Sequence, residues 1–235
     1  MKLLSEYFVD ISKMDSETQQ YMSKTLSFYE QTGILELLVQ SNKRGKLAGN
    51  EIRNGKSAWQ EGNFAVHNLG ELERETKFYG KFGGLMAIPS SRIPLIEVRV
   101  NLIVAHELAH QLQDYLSSEL VDRLKLIFEA TLSACKHEST ENQSEVVLDH
   151  DVASRHFVSG YARTGFWEYW AECFACFADQ GAMKALKETQ AEAYDLLCQL
   201  FLHPEVHLQP EAGQELALIR EKHSINVETV KSLLY

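Results

Sequence analysis

Apolar residues recur at helical spacing over much of the chain. From Ser16 to about Val39, Tyr21, Met22, Leu26, Tyr29, Leu35 and Leu38 fall at intervals of three and four, which predicts helix. Asp15 or Ser16 offers an N-cap, and Gly33 is placed to break the stretch into two helices. The pattern then changes, because eight of the 13 glycines lie between Gly45 and Gly84. Residues 45–90 read as short strands and turns, with 64–69 and 84–89 as strand candidates. Pro89 ends the second candidate or confines it to an edge.

Ser90 and Ser91 offer caps for a helix entered near Ile93-Pro94, since proline suits a first helical turn. This helix is expected to run to about Tyr115, with a second helical stretch over 117–135. Residues 136–156 are polar and mostly charged or small, and read as a loop or insertion. Helix is expected again over 166–178. The remainder to Tyr235 predicts two or three helices, with Pro204 and Pro210 marking a break. The organisation expected is an N-terminal helical segment, residues 1–44, packed on one domain spanning 45–235.

Composition narrows the function classes. With 235 residues, 45% of them hydrophobic, the chain can bury a core without disulfides or structural metal. The net charge is −10, and the densest basic run, Lys43-Arg44-Gly45-Lys46, is too short to track phosphates. Nucleic acid and anionic membrane are therefore not expected as partners. No stretch approaches the roughly 18 apolar residues of a membrane span, and Met1–Glu6 is not a secretory apolar region. Cytoplasmic synthesis with reduced thiols is expected, which leaves export by a signal-less route open.

His106-Glu107-Leu108-Ala109-His110 carries the candidate chemistry. On a helix, residues four apart lie one above the other, so both imidazoles point to one side. Glu107 lies beside them in sequence, where its carboxylate can act as base on a metal-activated water. The apolar turn before the motif, Leu102–Ala105, suits a buried active-site helix. A catalytic zinc needs a third protein ligand. The pattern with glycine three residues and histidine six residues after the second histidine is absent, because Gln113 and Leu116 stand there.

Glu168 and Glu172 share a face of a later helix and are flanked by Phe166, Trp167, Phe174 and Phe177. Two carboxylates facing a core repel each other and lose hydration, and a divalent cation plus an imidazole N–H relieve both costs. Glu168 is therefore assigned to the metal, and Glu172 to orienting His106 from behind. The expected cofactor is one zinc ion. Cys173 and Cys176 have C-x-x-C spacing, but no second pair exists, and small apolar packing is the better reading. His67 is read as structural. His137, His150 and His156 with Asp149 and Asp151 are read as solvated loop residues ahead of a second cation site.

The stretch from Tyr161 to Phe174, with Arg163-Thr164 after the tyrosine and Glu168 seven residues beyond it, resembles the catalytic helix of anthrax lethal factor-like metallopeptidases. That family includes the Pro-Pro endopeptidases. Asp114-Tyr115 also falls where the family commonly has Asp-Tyr. The resemblance covers roughly residues 83–178, and the first eighty residues show none. It implies an α+β, helix-rich zincin-like fold of gluzincin type, with a small twisted sheet beside the motif helix. It further implies that Tyr161 donates to the oxyanion, that Asp114 supports the ligands, and that Leu85, Met86, Ala87 and Ile88 form an edge for extended peptide. The expected function is zinc-dependent hydrolysis of a peptide or protein substrate. The alternatives are a zincin scaffold kept for binding without turnover, and hydrolysis of a non-peptide amide.

Overall fold

The computed structural model of the chain describes residues 8–9, 16–41, 47–50, 63–65, 105–106, 108–141 and 156–235. Glu107, the candidate edge Leu85–Ile88, His67, Asp149, His150 and Asp151 lie outside the described residues.

In chain order the elements are β1 (Phe8–Val9), α1 (Ser16–Gln31), α2 (Ile34–Ser41), β2 (Leu47–Asn50) and β3 (Asn63–Ala65), followed by the motif helix. The motif helix is described at residues 105–106 and 108–112 and tightens into a 3₁₀ turn over Gln113–Tyr115. Next come α3 (Ser118–Glu141), α4 (Phe166–Ala175) with a 3₁₀ extension at Cys176–Ala178, and α5 (Gln180–Thr189). The chain ends in α6 (Ala191–Leu202), α7 (Pro204–His207), α8 (Pro210–Lys222) and α9 (Val227–Leu234). Among the described residues, no helix is long and apolar enough to cross a membrane.

The expectation of an α+β fold built on a small twisted sheet is corrected. The described chain is overwhelmingly helical. Strand is confined to three segments of two, four and three residues that pair in parallel. Among the residues whose burial is described, every buried side chain belongs to a helix or to a turn between helices, so this part of the core is helix packed on helix.

Other expectations shift in register. The 16–39 stretch does divide at Gly33, whose φ of +82° is the left-handed conformation that closes a helix. A Cβ there would stand 2.9 Å from Leu216 Cδ1, so α8 packs where only hydrogen fits. The segment read as a loop from residue 136 is helical to Glu141, because its polar residues include no glycine or proline to stop α3. The stretch after residue 178 holds five helices rather than two or three, counting the single turn α7. Asp179 caps α5 by accepting from Ala182 N at 2.9 Å, and Asn226 caps α9 from Thr229 N at 2.8 Å.

An aromatic cluster ties the N-terminal helices to the helix that carries Glu168. The Tyr29 ring stacks on Phe174 at 4.9 Å between centroids, and its hydroxyl donates to the Phe174 carbonyl at 3.0 Å. Phe201 of α6 packs against Phe28, Phe174 and Phe177. Burial of each large ring contributes roughly 1.5–3 kcal/mol. Arg220 of α8 donates to the carbonyls of Thr32 and Phe201, which closes the C-terminal helices onto the α1–α2 turn.

Candidate metal centre

The motif helix presents its apolar face to the core: Ala105, Leu108, Ala109 and Leu112 are fully buried. His106 and His110, four apart, leave that face together with ring centroids 4.7 Å apart. Helix α4 crosses beside it. Trp170, itself fully buried, donates its indole N–H to the Ala109 carbonyl at 2.9 Å. That bond fixes the two helices against each other at the level of the histidines.

On α4, Glu168 and Glu172 lie one turn apart on the side towards the histidines. Glu168 Oε2 is 3.1 Å from His106 Nε2 and 3.4 Å from His110 Nε2, and the two Nε2 atoms are 3.0 Å apart. Glu172 Oε1 stands behind, 2.7 Å from His106 Nδ1. Gln113 Oε1 stands behind His110, 3.1 Å from its Nδ1. His106, His110 and Glu168 thereby form a three-residue cluster with metal-ligand chemistry.

Glu172 Oε1 and Gln113 Oε1 can each accept from the Nδ1–H of the histidine in front of them, and a neutral ring protonated there turns an Nε2 lone pair towards Glu168. Glu168 Oε2 is buried there and receives no aligned hydrogen bond, although two nitrogens lie within 3.4 Å. Burial raises the Glu168 carboxyl, but hydrogen bonding and charge from the His106 and His110 imidazoles outweigh it and bring the group down to about 2. The cluster therefore favours Glu168 as an ionised carboxylate.

The donor set fits a zinc ion. Ligands at about 2.0–2.1 Å from one tetrahedral ion stand about 3.3–3.4 Å from each other, close to the separations found here. Two imidazoles and one carboxylate also leave the fourth position that catalytic sites keep open.

Tyr161 lies on the turn that leads into α4. Ala162 N donates to Ser159 Oγ at 3.0 Å, and Thr164 closes back on the Tyr161 carbonyl through both its N–H and its hydroxyl. The Tyr161 ring centroid is 5.8 Å from that of His106, and the residue is 39% exposed, so it borders the centre without being sealed in the core. Trp167 is exposed to the same extent.

Other candidates fall elsewhere. The Asp114 side chain is exposed, and its carbonyl accepts from Gln209 Nε2 at 2.8 Å; beside His110 stands its neighbour Gln113. Cys173 and Cys176 are buried in the α4 region, where desolvation pushes both thiols up and away from the thiolate form. His156 is half-buried, and its carbonyl accepts from Gln190, which also accepts from the Tyr169 hydroxyl. Sequence reasoning passed over Gln113 and the indole of Trp170. The first was visible in principle, three residues after His110 on one helix face; the second depends on how two helices cross.

No family model, no curated protein and no solved structure matches the chain.

Proposed function

We propose that the protein is a zinc-dependent peptidase of the lethal factor-like type, with His106, His110 and Glu168 holding the ion. The observation that carries this reading is the meeting of His106 Nε2, His110 Nε2 and Glu168 Oε2 within 3.4 Å, with a side-chain oxygen against the far nitrogen of each histidine. A cation bound between them would interact favourably with all three.

Zinc bound there would supply Lewis acidity towards a carbonyl and a water acidic enough to ionise near neutral pH. The chain's own residues do the rest. Glu107, next to His106 in sequence, would serve as the general base for the attacking water and as the acid for the leaving amine. Tyr161 donates its hydroxyl proton in a hydrogen bond to the oxyanion that develops on the attacked carbonyl. Glu172 keeps the His106 ring in one tautomer and one orientation. Trp170 keeps α4 at the distance from the motif helix that the three ligands require.

A scaffold kept only for binding would need the ligand set but neither a base nor an oxyanion donor. The presence of Glu107 and Tyr161 favours turnover. The test is incubation of the zinc-loaded protein with a diverse peptide pool, with and without chelator, followed by mass spectrometry. Chelator-sensitive cleavage at defined bonds is expected. Stoichiometric zinc with no cleavage of any peptide would transfer the reading to the binding scaffold.

A further inference from the structure

We propose that Gln113 is a positioning residue for the metal centre, acting through His110, and that it is held in place by the α7–α8 junction. The proposal rests on the metal-centre reading above. His106 and His110 are supported differently: a carboxylate from α4 stands behind the first, and a neutral amide from the motif helix's own last turn stands behind the second. The amide oxygen of Gln113 accepts from Nδ1–H of His110, which leaves Nε2 as the ring's only lone pair and turns it towards His106 and Glu168.

The place of Gln113 follows from the way the helix ends. A continuous α-helix would leave its last carbonyls to water, but here the chain tightens into the 3₁₀ turn Gln113–Tyr115. Gln209, which leads into α8, grips that turn from outside. Its side-chain N–H donates to the Asp114 carbonyl at 2.8 Å, and its backbone N–H donates to the Tyr115 carbonyl at 2.8 Å. One step further, Ser117 N donates to the His207 carbonyl at 2.9 Å, and Leu116 bridges Leu208. A segment more than ninety residues downstream thus sets the backbone from which Gln113 reaches His110.

A neutral partner also has a chemical consequence. A second carboxylate behind His110 would make both imidazoles stronger donors and reduce the net positive charge left on the ion. The amide orients without that electron push, so the ion keeps more of its Lewis acidity.

The experiment uses the full chain unsubstituted and as Gln113→Ala, Gln113→Glu and Gln209→Ala. Zinc affinity is measured by competition with a chromogenic chelator, and the imidazole tautomers are read from two-bond ¹H–¹⁵N correlations. In the unsubstituted protein, His110 is expected as the Nδ1–H tautomer. Gln113→Ala is expected to weaken zinc binding about 10- to 100-fold and to release that tautomer preference. Gln113→Glu should bind zinc at least as tightly as the unsubstituted chain, and Gln209→Ala should fall between it and Gln113→Ala. An unchanged zinc affinity in Gln113→Ala, or an Nε2–H tautomer at His110 in the unsubstituted protein, overturns the proposal. The tautomer measurement decides even if a variant does not fold. A folded, unsubstituted chain that takes up no zinc defeats the metal-centre reading instead, while the His110 tautomer in that zinc-free protein still decides the role of Gln113.

Discussion

Glu172 Oε1 lies 2.7 Å from Nδ1 of His106, one helical turn beyond Glu168, whose Oε2 faces the opposite nitrogen of the same ring at 3.1 Å. One imidazole is therefore held between two carboxylates of a single helix, and as a neutral ring it can give a proton to only one of them. That relationship underlies the metal-centre proposal.

Removing the orienting carboxylate tests the first half of that arrangement. Glu172→Ala should lower zinc affinity about 10- to 100-fold, and Glu172→Gln, which still accepts from Nδ1–H, should lower it less. Chelator competition gives both numbers. Equal affinities across the series would show that Glu172 does not orient His106.

The second half is tested by stability. Zinc at 100 times its Kd should stabilise the fold by about 2.7 kcal/mol through mass action and raise Tm accordingly. In Glu168→Gln the zinc-dependent rise should shrink or vanish, and the zinc-free protein should lose some stability at neutral pH, since the lowered Glu168 carboxyl favours the fold when ionised. A full zinc response in Glu168→Gln would take Glu168 out of the ligand set.

Chemistry and binding separate at Glu107. Glu107→Gln should keep zinc at the same stoichiometry and lose roughly 10²- to 10⁴-fold in hydrolysis of a peptide found to be cleaved. Retained activity in this variant would mean that another group takes the proton.

Trp170→Phe keeps the packing surface but deletes the donor to the Ala109 carbonyl. A loss of about 1 kcal/mol in unfolding free energy is expected, measured by urea titration. Weaker zinc binding should accompany it, because the bond sets the spacing of the two ligand-bearing helices. If stability fell and zinc affinity did not, the indole would be a staple of the fold alone.

A pH effect is expected away from the centre. Burial, with help from the Arg123 charge, holds His207 below its ordinary value of 6.5. The unfolded chain therefore takes up this proton at a higher pH than the folded chain does. Stability should fall as pH drops from about 6.5 towards the lower folded value, and it should be indifferent to this group above 6.5. His207→Gln should flatten that part of the profile, read from urea midpoints at pH 7.5 and 5.5. An identical drop in both proteins would remove His207 as the cause.

The pairs that make up the cluster were legible because helical spacing is short-range information. His106 with His110, and Glu168 with Glu172, are four apart, and that spacing alone puts each pair on one face. The fold-level sheet was the misreading: it was inferred from a resemblance, and of the strand candidates read between 45 and 90 only the start of 64–69 is described as strand, within Asn63–Ala65. Helix boundaries were read too early at 136 and too sparsely after 180, for one physical reason. Polar composition does not stop a helix, and the break at Gln190, with φ near −143° and ψ near 60°, falls at a residue that carries no turn signature, whereas the break at His203 is the one Pro204 announced. The Trp170–Ala109 bond joins residues 61 apart and has no local trace at all.

The stack of Tyr29 on Phe174 joins positions separated by 145 residues, and the grip of Arg220 on Thr32 spans 188. Such closures are entropically expensive and come late as a chain organises itself. The helix bearing Glu168 leans on the first of them, so its carboxylate is expected to meet the two imidazoles only once that long-range contact has formed. Acquisition of tight zinc affinity during refolding should accordingly lag behind recovery of helicity.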